Sequence, residues 1–130
     1  MKDRDRVAGL IIQDGKLLLV TGYDADYYWT PGGKMDGGED HEQALRREMK
    51  EELGIDISNP RFFTQIEYFN SHSEKQQVSH YYLVDYRGEI KPAKEITGYR
   101  FFGAEELPRF THFVNDDNLL SKLLSEKLVR

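Results

Sequence analysis

The segment DHEQALRREMKEELG, from Asp40 to Gly54, constrains the fold more than any other stretch of the chain. Leu45, Met49 and Leu53 recur every four residues and make an apolar stripe that has to pack on a sheet. Asp40 is placed to cap the start of this helix and Gly54 its end. Glu48, Glu51 and Glu52 stand beside the stripe. Positions i, i+3 and i+4 project together, so the three carboxylates converge within a rise of roughly 6 Å. Each like-charge pair costs roughly a few tenths of a kcal/mol, so the group is unfavourable unless cations occupy it. Oxygen-only clusters suit magnesium or manganese. Taken alone, the acids also read as a solvated face with Arg46, Arg47 and Lys50 as intrahelical partners.

The rest of the chain supplies the sheet. VAGLIIQ and LLLVTGY, residues 7 to 13 and 17 to 23, are β-rich runs joined at Asp14-Gly15, a strong hairpin signal. DISNPRFFTQIEYFN and QQVSHYYLVDYRG read as a long hairpin across SHSEK, and YRFFG as a further strand before AEELPRF. In NDDNLLSKLLSEKLV, the residues Leu119, Leu120, Leu123, Leu124 and Leu128 keep helical spacing, with Asp116 or Asp117 near the start. Strands between two helices predict an α+β layer structure, expected as one domain over residues 1–130.

Composition excludes several functions. With 23 acidic against 18 basic side chains the chain carries a formal charge of −5, so no broad positive field exists to hold a nucleic-acid polymer. The absence of cysteine removes disulfides, thiolate metal sites and a thiol nucleophile. No apolar run approaches membrane-spanning length, and MKDRDR lacks the apolar stretch of a signal peptide, so a soluble, cytoplasmic protein is expected. His41, His72, His80 and His112 show no close ligand spacing, which argues against a histidine metal site.

Gly33, Glu39, Arg47, Glu48, Met49, Glu51, Glu52, Gly54 and Ile55 fit the pattern G-x5-E-x7-R-E-U-x-E-E-x-G-U, where U is apolar. A chance match of that length is on the order of one in ten million at average residue usage. The pattern is the signature of the Nudix hydrolases, and the chain resembles the MutT-like members of that family. The approach WTPGGKMDGGE, the order of the strands, the FFGAEELP segment and the terminal helix are similar to the family as well. The resemblance implies the Nudix fold, an α/β/α sandwich with a central mixed β-sheet. It implies hydrolysis of a pyrophosphate bond in a nucleoside diphosphate linked to another moiety, with Mg2+ as cofactor and Mn2+ as substitute.

That chemistry fits the acids. Anionic phosphate oxygens repel a water nucleophile, and bound divalent cations offset that charge and activate the water. By resemblance, Glu48, Glu51 and Glu52 are the metal ligands together with Gly33. Arg47 orients a carboxylate, and Glu39 has an auxiliary role. Some family members take the general base from the loop before the strand that corresponds to YRFFG, which here places Glu95; Glu51 is the alternative base. Tyr23, Tyr27, Tyr28 and Trp29 are candidates to stack a nucleobase or to pack in the core, with Trp29 expected beneath the PGG turn. Tyr28, His72, Asn115 and Asn118 are the candidate substrate contacts, the two asparagines doubling as candidate helix caps.

The neighbourhoods that carry proline in ADP-ribose hydrolases and tyrosine in dinucleoside polyphosphate hydrolases read Asn70 and His72 here. By elimination, a small nucleoside triphosphate pyrophosphohydrolase of the house-cleaning type is expected. ADP-ribose, nucleotide sugars, dinucleoside polyphosphates and a non-hydrolytic sensing module are the alternatives, and a homodimer is left open.

Overall fold

The computed structural model describes residues 5–70, 75–111 and 118–130. Among these residues seven strands run as β1 (Asp5–Leu10), β2 (Ile12–Gln13), β3 (Lys16–Gly22), β4 (Gly32–Lys34), β5 (Asp56–Asn70), β6 (Lys75–Arg87) and β7 (Ile96–Phe102). The helices are α1 (His41–Leu53), α2 (Leu107–Phe110) and α3 (Asn118–Ser125). Strands β4, β1, β6 and β5 form a mixed sheet in that order, in which only β1 and β6 are parallel. Strands β2, β3 and β7 form a second, antiparallel sheet. The expected mixed sheet is therefore present, and a smaller sheet accompanies it.

The first apolar run splits between these sheets. Ile11 is the hinge: β1 before it pairs with β6, β2 after it pairs with β3, and its carbonyl accepts from Leu18 N at 2.9 Å. Asp14 and Gly15 both take positive φ, 52° and 74°, the geometry that a two-residue hairpin turn requires.

Alternation along the strands builds two cores. Leu18 and Val20 face a cluster that holds Val7, Ala44, Leu45, Met49, Leu53 and Ile55. Leu17 and Leu19 face the other way, into Leu10, Phe102, Leu107, Leu119 and Leu123. The sheets thus lie between α1 on one side and α2 with α3 on the other. The helical spacing of the last leucines runs on to Leu128, but α3 ends at Ser125. Lys127 turns the chain at φ 58°, Arg130 N then donates to Gly15 O at 2.9 Å, and Arg130 O accepts from Ala104 N at 2.9 Å. Those strand-like tertiary bonds replace further helix. Asp116 and Asp117 lie outside the described residues.

Helix α1 starts and stops as its sequence requires. The Asp40 carboxylate accepts from Gln43 N at 2.8 Å while Gln43 Oε1 accepts from Asp40 N at 2.9 Å, a reciprocal cap. Gly54 leaves the helix in the left-handed region at φ 70°. Asp40→Ala should cost about 1 kcal/mol in urea unfolding by removing one half of that cap.

Candidate active site

The start of β4 and the C-terminal half of α1 bring the acids together. Val7 pairs with Gly33 and Ala8 with Gly32, which pins the two glycines to β1. From there Gly32 N donates to Glu52 Oε1 at 3.2 Å, tying the strand to the helix. A Cβ on Gly33 would overlap Glu48 Oε2, so the Glu48 carboxylate occupies the space that a side chain would take. Gly33→Ala should displace Glu48 and lower activity at least about tenfold. Its circular dichroism should stay native, because the atom that must move is the end of a flexible side chain. Wild-type activity in this variant would show that the close approach is idle.

Arg47 is the hub beside them. Its guanidinium donates from Nε and Nη2 to both oxygens of Glu39, at 2.7 and 3.0 Å, and from Nη2 to Lys34 O at 3.2 Å. Through Nη1 it donates to Glu48 Oε1 at 3.0 Å and, more loosely, to Glu51 Oε1 at 3.4 Å. Such a fork fixes carboxylate direction as a lysine could not. The hydrogen bonds from Arg47, then the Asp36 amide, hold Glu39 below the ordinary carboxylate range, while Glu39 raises Arg47 further. Glu51 is also paired with Lys94 Nζ at 3.4 Å.

Glu48 and Glu52 sit differently. Burial, then Glu51, pushes the Glu48 carboxyl up against the pull of Arg47. Burial pushes Glu52 up to about 7; Glu48 and Glu95 add to this, and the Gly32 amide and Arg6 oppose it. Burial thus outweighs the Arg47 contact at Glu48 and the Gly32 amide at Glu52, a cost that a divalent cation would relieve.

The loop before β7 closes this end of the helix. Lys91 N donates to Leu53 O at 2.8 Å and Ala93 N to Glu52 O at 2.9 Å, satisfying carbonyls that the helix end leaves open. Glu95 follows, with its carbonyl against Gly22, where a Cβ would collide with it. Its side chain is exposed, and its charge acts on both Glu52 and Tyr23. Desolvation, then Glu95, Glu52 and Glu48, raise the Tyr23 hydroxyl above the usual phenol value. Tyr23 is 70% exposed, and its ring lies 6.3 Å from that of Trp29.

Trp29 exchanges backbone hydrogen bonds with Val20 and packs, partly buried, on the α1 side of the core. Tyr28 is placed elsewhere: its ring meets Phe102 at 4.9 Å in the α3-side cluster, away from the carboxylates. His72 and Asn115 lie outside the described residues, as does the side chain of Asn118, which opens α3. Sequence reasoning did not identify Arg6, whose charge reaches Glu52 while its guanidinium bonds Thr30, or Lys94 beside Glu51. Neither lies in a motif, so no local signal marks them.

A mixed sheet faced by a helix that carries three carboxylates beside the glycines of β4 would suit a hydrolase that takes a divalent cation on oxygen ligands. Residues 3–123 match the NUDIX domain model, and the chain belongs to that family. It is 29% identical over 126 residues to an 8-oxo-dGTP diphosphatase of Buchnera aphidicola, spanning 89% of this chain and 94% of that protein. It is 30% identical over 122 residues to an oxidized purine nucleoside triphosphate hydrolase of Danio rerio, spanning 91% and 77% of the two chains. The crystal structure of a MutT NUDIX hydrolase from Burkholderia pseudomallei superposes with a TM-score of 0.79 at 24% identity, over 92% of this chain and 97% of that one. Among the described residues no helix is long and apolar enough to cross a membrane.

Proposed function

We propose that this chain hydrolyses the pyrophosphate linkage of nucleoside triphosphates, with oxidised purine nucleotides as the substrate class, as the names of its Buchnera and Danio relatives suggest. The observation that carries the reading is the pair Glu48 and Glu52, both pushed up by burial and both beside Gly32 and Gly33 of β4. Glu48, Glu51 and Glu52, with the Gly33 backbone, would hold Mg2+ or Mn2+, since every donor is oxygen. When bound, such an ion offsets phosphate charge and makes hydroxide available near neutrality.

The protein's own groups supply the rest. Arg47 fixes the direction of Glu48 and Glu51. Glu95 takes the proton of the attacking water. It is preferred to Glu51 because the Glu51 carboxylate is already engaged by Arg47 and Lys94, whereas Glu95 carries no ion pair among the described residues. The exposed Tyr23 ring beside Trp29 offers a stacking surface next to the acids.

A panel of oxidised and ordinary nucleoside triphosphates, ADP-ribose, nucleotide sugars and dinucleoside polyphosphates tests the reading, with products resolved by chromatography. Magnesium-dependent cleavage should be fastest for an oxidised purine triphosphate. Chelation should stop it while circular dichroism stays native. Preference for ADP-ribose or a dinucleoside polyphosphate would move the substrate assignment, and nucleotide binding without turnover would make the chain a sensor.

A further inference from the structure

A second group of potential ligands lies at the other end of α1. Asp5 opens β1, His80 lies on β6 and His41 is the first residue of α1. In the parallel β1–β6 pair, His80 is opposite Val7, and Asp5 is two residues before Val7 on the same strand face. Val7 belongs to the core cluster packed on α1, so Asp5 and His80 face the helix start. One donor atom from each of the three residues lies within 4.8 Å of donor atoms of the other two, the sole such group of three among the described residues. The His41 and His80 rings are 4.2 Å apart between centroids.

His80 makes the group unusual. It is only 8% exposed, and both ring nitrogens are buried without a hydrogen-bond partner. Asp5 Oδ1 stands 3.7 Å from its Nε2, beyond hydrogen-bond length. Native folds seldom leave buried polar atoms in that state, and an ion is one of the things that resolves it. Burial, and next His41, lower the His80 pKa against the pull of Asp5, which keeps the imidazole neutral with a lone pair to give. His41 already has Nδ1 on Tyr82 Oη at 2.7 Å, the outer hydrogen bond that orients a ligating imidazole and leaves Nε2 for an ion.

We infer that Asp5, His41 and His80 form a binding site for a zinc-class divalent transition ion, separate from the carboxylate group and clamping β1, β6 and the start of α1. Two imidazoles and one carboxylate, with a water as fourth ligand, suit Zn2+ better than Mg2+, which prefers oxygen donors in an octahedron. Metal–ligand bonds of about 2.0–2.1 Å place tetrahedral donors about 3.4 Å apart. The group must therefore contract modestly, through rotation of the partly exposed Asp5 and His41. Glu48 and Glu52 follow His41 along α1 at a rise of about 10 and 16 Å, too far to share one ion.

The inference stands apart from the proposed hydrolysis, and its test reads binding rather than turnover. Metal-free protein is first given excess Mg2+ to saturate the carboxylates. It is then titrated with Zn2+ by calorimetry and with Co2+ by visible absorption, whose d–d bands report nitrogen ligation. The expected result is one ion per chain with nitrogen-ligated Co2+ bands, retained in Glu52→Gln. Binding should be weakened at least about a hundredfold in His41→Gln and His80→Asn, and about 10- to 100-fold in Tyr82→Phe, which removes only the outer partner. If His80→Asn does not fold, His41→Gln at the accessible helix start decides. Unchanged binding in His41→Gln, or binding lost in Glu52→Gln instead, would overturn the site.

Discussion

Glu52→Gln should lose at least about a hundredfold in turnover while the metal-free protein becomes more stable above neutral pH. The second half of that expectation follows from the sign of the shift. Folding raises the Glu52 carboxyl from 4.5 to about 7, so between those values the native state binds more protons than the unfolded chain. Stability of the metal-free protein therefore falls as pH rises through that window, and the loss is complete above it. Its size is on the order of 3 kcal/mol, and an uncharged glutamine never incurs it. Urea unfolding in chelator at about pH 5 and pH 8 measures this directly. The wild type should be less stable at the higher pH, with the difference reduced in the variant. Saturating Mg2+ should restore the wild type and leave the variant almost unaffected. A variant that turns over normally would remove Glu52 from the metal.

The second large effect is expected at Glu95. Glutamine keeps its size and hydrogen bonding but cannot accept the proton of water, so kcat should fall about 10²- to 10⁴-fold with little change in KM. The loop bonds from Lys91 N and Ala93 N are backbone bonds and survive the substitution, so the native fold should persist. Glu51→Gln is the matched control. It releases Lys94 and loosens Arg47, and a loss caused by weaker metal binding should be partly recovered at higher metal concentration. Whichever residue is the base should also remove the acidic limb of the pH–rate profile. Wild-type kcat across that profile in Glu95→Gln would pass the role to Glu51.

What the sequence made legible was local. The stripe of Leu45, Met49 and Leu53, the cap at Asp40 and the exit at Gly54 are set by residues three or four apart, and each stands where its spacing placed it. The convergence of Glu48, Glu51 and Glu52 is likewise a property of helical pitch. Long-range partners left no such trace. The parallel pairing of β1 with β6 unites segments more than 70 residues apart, and nothing in either run announces it. Histidine spacing argued against a metal group, yet that same pairing carries His80 to within a ring contact of His41. For Tyr28 the aromatic character left stacking and core open alike, and it is the contact with Phe102, a partner 74 residues on, that seats its ring in a core cluster.

Nearly every bond that aims the acids begins and ends between Gly32 and Gly54. Gly32 is tied to Glu52, Asp36 to Glu39, Asp40 to Gln43, and Arg47 to Lys34, Glu39 and Glu48. The loop bearing Glu95 is fastened to the helix end through main-chain amides, which make no demand on side-chain identity at Lys91 or Ala93. The half of the site proposed to hold the ion can therefore be inherited as one closed cassette. Meanwhile the loop bearing Glu95 and the Tyr23–Trp29 pair lie outside that closed set of bonds, so they can change without renegotiating where the carboxylates point.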